Sequence, residues 1–243
     1  MSNLDPKYWN NKWPKAPIIY NGRALRSKSS RIGVDVKDFI VSNDEIVKNI
    51  IKKYRLDRGN DDQKAWTIQK WVVKFLRYVG DEKSDNCPEF WQFPFETLQS
   101  GVGDCEDGAI LISSLMINAG IPPFKVKVSA GYVKPGPTAP EGGHAYNIYL
   151  ASDNNWRICD WCFYEDSNLP ILKKPLAKNG GYEQTYKEIW FTFNNEYSWT
   201  KGPVEVKDRI SLNRTAKKSY VLNESKKAVK KILNDIDKIY KSK

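Results

Sequence analysis

The stretch "GVGDCEDGAILISSLMINAG", residues 101–120, places a cysteine among three acidic residues where a glycine-rich loop passes into a helix. Apolar residues then recur at helical spacing, and Gly120 followed by two prolines ends the pattern. The free N–H groups and the dipole of a helix start favour an anion, so this position lowers the pKa of a thiol. Cys105 is therefore a candidate nucleophile, although a small packed side chain fits the same position.

The acidic neighbours of Cys105 have a structural role of their own. Asp104 suits the N-cap of the helix, and Asp107 stands three residues later, where it completes a capping box. Carboxylates beside a thiolate raise its pKa by like-charge repulsion, so a catalytic Cys105 needs something that offsets them.

The order of the remaining elements predicts an α+β protein. Helical patterns begin near an Asn/Ser cap at 42–43 and again at Asn60 or Asp61, and the second has an inner stripe of Ala65, Ile68, Val72 and Phe75. A period-two pattern follows at 124–130, where apolar residues alternate with Lys125, Lys127 and Ser129. A hairpin is predicted from "HAYNIYLA" through "SDNN" to "WRICDW", with another strand at "EIWFTFN". Helices followed by mostly antiparallel strands indicate α+β rather than a wound parallel sheet.

The hairpin carries two residues that complete a catalytic set. His144, the single histidine of the chain, opens its first strand, and Asp160 ends its second. A nucleophilic thiol needs a base, and the base needs a third group that orients it, so Cys105, His144 and Asp160 supply three roles. Side chains alternate between faces, so His144 and Asp160 share a face only if the paired residue numbers have an even sum. We therefore expect an odd-length loop or a bulge between residues 150 and 157.

Composition restricts the classes of protein. The 243 residues are 40% hydrophobic and 13% aromatic, which indicates a folded domain. No apolar run is long enough for a membrane span, and the N-terminal residues lack the apolar core of a signal peptide, so we expect a cytoplasmic or virion-associated protein. Four cysteines are few for a disulfide-stapled chain. Cys159 and Cys162 have C-x-x-C spacing but lack a second pair, and packing is favoured for Cys162.

The formal net charge is +10, and much of the excess lies in the lysine-rich tail. This favours either a solvated helix face or an anionic partner or larger assembly, without a motif for specific nucleic-acid readout. We predict three segments: an extended N-terminal arm with anchoring aromatics (1–42), a catalytic domain (43–200) and a basic C-terminal segment (201–243). The last ends in an amphipathic helix from about residue 218.

The run W-x-x-P-x-E-T-L-x-x-G-x-G-D-C-E-D-x-A, followed by "GGHAYNIYL" and "WRICDW", resembles the transglutaminase-like superfamily, and within it the bacterial and phage cysteine peptidase branch. The resemblance covers about residues 60–195. It implies a papain-like core in which the nucleophile helix packs on an antiparallel sheet, with Cys105 as nucleophile, His144 as base and Asp160 as orienting residue.

Further roles follow from the resemblance. The backbone N–H of Cys105 is expected to be one oxyanion donor, and Trp91 or Gln92 is a candidate for the second, although core packing suits Trp91 as well. In the adhesin-cleaving branch, acidic residues beside the cysteine bind calcium, which makes Asp104, Glu106 and Asp107 candidate ligands. No cofactor is required for the triad itself.

The expected function is a cysteine-dependent amide hydrolase, most plausibly a peptidase acting on a protein or peptide through a thioester acyl-enzyme. Two alternatives stay open. The same triad serves a transglutaminase-type crosslinker when an amine replaces water, and a chain with basic ends also suits a non-catalytic structural or docking component, such as part of a phage virion.

Overall fold

The computed structural model describes residues 7–24, 31–84, 89–134, 138, 140–163, 168–177, 185–202, 205–207 and 226–242. Cys87 and the predicted helical residues 218–225 lie outside these ranges. The α-helices are α1 Lys7–Lys12, α2 Glu45–Tyr54, α3 Asp61–Phe75, α4 Asp81–Ser84, α5 Pro94–Ser100, α6 Cys105–Asn118 and α7 Lys226–Lys241. Short 3-10 turns lie at Val36–Phe39, Pro123–Lys125 and Ile171–Lys173.

The described strands form three sheets. They are β1 Ile19–Ala24, β2 Arg31–Asp35, β3 Arg77–Tyr78, β4 Val102–Gly103, β5 Val126–Val133, β6 Gly142–Leu150, β7 Trp156–Cys159, β8 Tyr186–Phe193, β9 Ser198–Thr200 and β10 Glu205–Lys207. The central sheet has the order β7-β6-β5-β8-β9 and is antiparallel throughout. The other two have the orders β10-β1-β2 and β3-β4. This mixed architecture confirms the predicted α+β class.

Helix α6 lies at the centre of the molecule. Asp104 is its N-cap and Gly120, with φ +88°, follows its end. Residues 106–116 are all buried, since α6 contacts β5 and β6 on one side and α3 on another. Asn147 of β6 donates to the carbonyl of Ala109 at 3.0 Å and to the hydroxyl of Ser113 at 2.8 Å, which fixes the helix on the sheet. The predicted packing of the nucleophile helix on an antiparallel sheet is therefore confirmed.

The two preceding helices follow their sequence signals closely. Asp44 caps α2 by accepting from the Val47 N–H at 2.9 Å, whereas the predicted cap at Ser42 or Asn43 is wrong by one or two residues. Asn60 is the N-cap of α3, which agrees with one of the two predicted caps, Asn60 and Asp61. The predicted inner stripe of α3 is buried, at Ala65, Ile68, Val72 and Phe75.

The sheet is covered on both faces, which the alternation in β5 does not reveal. The side chain of Lys127 is fully buried, and its ammonium lies 4.7 Å from the ring centroid of Trp156 and 4.5 Å from that of Trp199. It also donates to the carbonyl of Phe124 at 3.2 Å. These contacts compensate a cation for burial on a face that the pattern assigns to polar residues.

The segments at both ends fold against the core. The N-terminal segment is not an extended arm, because it contains α1 and the antiparallel pair β1–β2. Its anchoring aromatics, Trp9 and Trp13, are buried beside Trp156 and Trp199. Strand β10 pairs in parallel with β1, so the predicted boundary at residue 200 separates two strands of one sheet.

The amphipathic helix α7 uses its apolar side within the molecule. Ile236 is fully buried in the main core. The partly buried side chains of Ile232, Leu233 and Ile239 pack against this core. Lys53 of α2 forms an ion pair with Asp237, which adds a polar contact to this packing. The apolar face of α7 is therefore occupied by the chain itself. None of the helices in the described ranges combines the length and apolarity that crossing a membrane requires.

Candidate active site

The β6–β7 hairpin has the parity that a His144–Asp160 contact requires. Asn147 pairs with Cys159 and Leu150 pairs with Trp156, so five residues, 151–155, form the loop. The paired numbers have an even sum, which places residues 144 and 160 on the same face. The expected odd-length loop is confirmed.

His144 and Asp160 meet in a buried contact. His144 Nε2 lies 2.6 Å from Asp160 Oδ2, and both side chains are buried. Burial on its own raises the pKa of Asp160. The His144 ring and the bonds from the Tyr186 hydroxyl and the Cys162 N–H outweigh it, and the pKa is held below its usual value. With the carboxylate ionised, Nε2 carries the proton and Nδ1 is left as the acceptor.

Aromatic rings enclose the His144 imidazole. The ring of Tyr146 lies parallel to it at a centroid distance of 5.9 Å, and that of Phe163 lies at 5.2 Å. The Tyr186 ring packs 4.5 Å from that of Tyr146. These rings exclude water from the His144–Asp160 contact, which strengthens its electrostatic component.

Cys105 occupies the first position of α6 and is directed towards the His144 end of β6. The backbone N–H of Ala145, the residue after His144, donates to its sulfur. The thiol donates to Oε2 of Glu106 at 3.2 Å, and the Cys105 carbonyl accepts from the indole of Trp161 at 3.2 Å. The start of α6, β6 and the end of β7 are thus connected through one residue.

The pKa of the Cys105 thiol differs in direction from the sequence argument. Burial raises it well above its usual value, and the charge of Asp104 raises it further. The bond from the Ala145 N–H to the sulfur acts in the opposite direction but does not compensate. The helix dipole argument is therefore insufficient here, because it takes no account of desolvation.

The two candidates for a second oxyanion donor have different environments. Trp91 packs within the core, and its indole N–H donates to Glu89 Oε1 at 2.6 Å. The backbone N–H of Gln92 donates to Asp107 Oδ1 at 2.7 Å, and its side-chain Oε1 is buried without a hydrogen-bond partner. Packing therefore accounts for Trp91, and Gln92 stays the better candidate.

The acidic residues form two groups that share Asp104. In one group a ligand atom from each of Asp81, Asp104 and Asp107 lies within 4.8 Å of the others, and in the second the same holds for Asp104, Cys105 and Glu106. Asp107 Oδ2 accepts from the Asp104 N–H at 3.2 Å, which confirms the predicted capping role. Asp81 was not a sequence candidate, because it lies on the separate helix α4.

The group of Asp81, Asp104 and Asp107 offers only oxygen ligands, whereas the second group includes the Cys105 sulfur beside two carboxylates. Oxygen ligands from carboxylates are what calcium takes in proteins. Burial and neighbouring carboxylates raise the pKa values of Glu106 and Asp107 well above their usual range, so the charges are poorly compensated. Glu106 Oε1 is buried without a hydrogen-bond partner. The residues therefore fit a divalent cation, with Asp81 added to the three predicted from sequence.

Three further residues at the site escape sequence analysis. Tyr186 of β8 donates to Asp160 Oδ2 at 2.6 Å, and Gln69 of α3 donates to the Asp160 carbonyl. Tyr78 is 57% exposed and lies 6.0 Å from Trp161, near Cys105. Each comes from an element that is remote from the site in the chain. Gln69 alone had a local signal in the sequence, since it is a polar residue within the apolar pattern of α3.

Cys162 packs against the main apolar core, as was favoured for it, and it also lies at the site. Its sulfur and the ligand atoms of His144 and Asp160 lie within 4.8 Å of one another. Cys159, by contrast, is fully buried in the main apolar core. The two thiols of the C-x-x-C pair therefore have different environments and do not form a common site.

Comparisons with known proteins agree with this architecture. The model of the transglutaminase-like superfamily matches residues 48–161, which include Cys105, His144 and Asp160. The search of curated proteins returned no match.

Solved structures align at low similarity. Legionella pneumophila LapG is 18% identical over 82% of this chain and 96% of its own, with a TM-score of 0.41. Its calcium-bound form is 17% identical over 80% and 98%, with a TM-score of 0.40. A Cytophaga hutchinsonii protein, provisionally assigned as a cysteine protease, is 18% identical over 66% and 48%, with a TM-score of 0.39. These values are too low to transfer details. Residues 48–161 match the transglutaminase-like superfamily, and the α+β core agrees with that match.

Proposed function

We propose that this protein is a cysteine-dependent amide hydrolase, a peptidase acting through Cys105, His144 and Asp160. The observation that carries the proposal is the buried His144–Asp160 contact of 2.6 Å. It stands beside a helix-start thiol that accepts the N–H of the residue following His144. The match of residues 48–161 to the transglutaminase-like superfamily supports a cysteine-protease-like function.

Each group has a role in this proposal. Asp160 is ionised and holds the Nε2 proton of His144, so Nδ1 takes the proton of the Cys105 thiol. This transfer is required because burial raises the pKa of the thiol and leaves little free thiolate. The thiolate attacks the carbonyl carbon of an amide, and the imidazolium then gives its proton to the leaving amine. Water, activated by His144, hydrolyses the thioester and restores the thiol.

The transition state needs donors for the carbonyl oxygen that becomes negative. The N–H of Cys105 belongs to the first turn of α6, where backbone N–H groups have no partner within the helix. The side-chain amide Nε2 of Gln92 is the second donor in this proposal, because the Gln92 backbone N–H donates to Asp107 and holds the residue near the same turn.

Thiol labelling tests the proposal without a known substrate. Burial raises the pKa of the Cys105 thiol, so in this proposal its reactivity at pH 6–7 comes from proton transfer to His144. We therefore expect a low dose of iodoacetamide at that pH to modify Cys105 selectively, and this selectivity to disappear in His144→Ala. The partly buried Cys162 is an internal control, since it lies at the same site. Equal, slow modification of all cysteines would contradict a catalytic thiol.

A proteome-scale cleavage screen with wild type and Cys105→Ser then addresses the substrate. New peptide termini that require Cys105 support hydrolysis. Incorporation of a fluorescent primary amine into glutamine side chains without new termini would instead identify crosslinking. Association with an anionic partner or a virion stays a prediction from charge alone.

Calcium is the cation that we propose for Asp104, together with Asp81, Asp107 and Glu106. When bound, it would neutralise the carboxylates beside the thiol. We expect calcium to raise the melting temperature and a chelator to lower it, and the effect to be lost in Asp104→Asn. A melting temperature that neither calcium nor chelator changes would refute the site.

A further inference from the structure

A tyrosine from β8 shares the carboxylate oxygen that orients His144. The Tyr186 hydroxyl donates to Asp160 Oδ2 at 2.6 Å, and His144 Nε2 lies 2.6 Å from the same atom. Oδ2 therefore accepts from two side chains, while Oδ1 accepts from the Cys162 N–H at 3.2 Å. Tyr186 follows Asp160 by 26 residues and reaches it only because β8 pairs with β5.

Tyr186 is a fixed donor at this position. Its side chain is 1% exposed, and its ring packs against Tyr146 at 4.5 Å and edge-on against Phe163 at 6.0 Å. Burial and the adjacent Asp160 charge raise the pKa of the hydroxyl far above its usual value, so it stays protonated. The hydroxyl is therefore available as a donor to the ionised Asp160.

We propose that Tyr186 is a positioning residue that holds Asp160 Oδ2 and takes a share of its negative charge, which limits the basicity of His144. A carboxylate oxygen that accepts a second hydrogen bond is a weaker partner for an imidazolium. The catalytic meaning of this role rests on the proposed function, whereas the coupling of Tyr186 to His144 does not.

The direction of the effect follows from what is left when the hydroxyl is removed. In Tyr186→Phe the carboxylate keeps the Cys162 N–H on Oδ1, and Gln69 still holds the Asp160 carbonyl. Asp160 therefore keeps its orientation and its full charge acts on His144. The other titratable groups at the imidazole, Tyr146, Cys162 and the Cys105 thiol beside it, are unchanged in this variant.

The experiment uses the single histidine of the chain, whose ring protons give an unambiguous NMR titration. We expect the midpoint of His144 to rise by about 0.5 to 1 unit in Tyr186→Phe. Tyr149→Phe is the matched control. It removes the hydroxyl of an equally buried tyrosine side chain, bonded to Asp62 at 2.9 Å, from the opposite face of β6, and we expect it to leave the midpoint in place.

A double-mutant cycle with Asp160→Asn isolates the coupling. We expect Tyr186→Phe to have no effect on His144 when the carboxylate is absent. An unchanged or lowered midpoint in Tyr186→Phe, or a shift that persists in Asp160→Asn, overturns the proposal. If Tyr186→Phe does not fold, the wild-type hydroxyl proton of Tyr186 is measured instead. This proton is expected to exchange slowly and to show a nuclear Overhauser contact with the His144 ring. If neither is observed, the proposal is overturned.

These readouts are independent of catalysis. If Cys105 is not selectively labelled but His144 shifts as expected, the proposed peptidase function fails and the role of Tyr186 stands. If Cys105 is selectively labelled but His144 does not shift, the proposed role of Tyr186 fails and the peptidase proposal stands.

Discussion

Replacing Gly108 by alanine tests the packing of Trp161 on α6. Helix propensity predicts that this change stabilises the protein, whereas the structure predicts that it destabilises it. A glycine inside a helix is less favourable than alanine by about 1 kcal/mol, so helix propensity alone predicts a more stable protein. A Cβ at Gly108 would lie only 2.2 Å from Nε1 and 2.3 Å from Cε2 of Trp161, whose ring is buried. The indole must therefore move.

The magnitude follows from three contributions. Overpacking costs about 1–3 kcal/mol, and loss of the bond from Trp161 to the Cys105 carbonyl costs about 1 kcal/mol. The helix gain of about 1 kcal/mol offsets part of this. We expect a net loss of about 1–3 kcal/mol in the free energy of unfolding, which lowers the melting temperature by roughly 3 to 9 °C.

Urea unfolding of wild type and Gly108→Ala measures the loss directly. Gly142→Ala is the control, because a Cβ there meets no atom within 4 Å. In a Trp161→Ala background the cost of Gly108→Ala is expected to fall, since the colliding ring is gone. A Gly108→Ala protein that is about 1 kcal/mol more stable than wild type would refute the reasoning.

Three more predictions concern the core and the buried acids. Ile236→Ala should lower the free energy of unfolding by about 2–4 kcal/mol, because this fully buried side chain anchors α7; a loss below about 0.5 kcal/mol in urea would show that α7 is peripheral. Asn147→Leu should cost about 1–3 kcal/mol by removing two buried hydrogen bonds, to the Ala109 carbonyl and the Ser113 hydroxyl, measured in the same way. In chelator, the free energy of unfolding should fall as the pH rises above 5. Burial raises the pKa values of Glu106 and Asp107 in the folded protein above those in the unfolded chain. Their contribution to stability is therefore full below the unfolded pKa values and is lost as the pH rises through the folded ones. The free energy of unfolding should change by about 1.4 kcal/mol per pH unit for each proton released, and Glu106→Gln should reduce this slope. Equal slopes for wild type and Glu106→Gln, measured by thermal melts across this pH range, would count against the raised pKa values.

Local patterns were sufficient for the parts of the site that lie within single elements. The apolar period, the cap at Asp104 and the terminating Gly120 defined α6, and side-chain parity placed His144 and Asp160 on one face. These inferences succeed because helix and strand periodicities are properties of neighbouring residues.

The inferences that failed depend on burial or on distant partners. The pKa of Cys105 is set mainly by desolvation, which no short stretch of sequence reports. Asp81 and Tyr186 reach the site from α4 and β8, and Lys127 is buried because α1 and the tryptophans cover the outer face of the sheet. The N-terminal segment appeared irregular because its anchoring residues pack against strands more than a hundred residues away.

The pairing of β1 with β10 and the burial of Ile236 have a consequence for the newly made chain. The family match ends at residue 161, yet the sheet needs β8 and the main core needs Ile236. Folding on the ribosome, which adds about 5–20 residues per second, therefore cannot be completed when the match has been synthesised. Tyr186 and Ile236 must first leave the exit tunnel. The contacts of Tyr186 and His144 with Asp160 therefore form only late in synthesis, so the triad proposed for this chain is not assembled while the chain is growing.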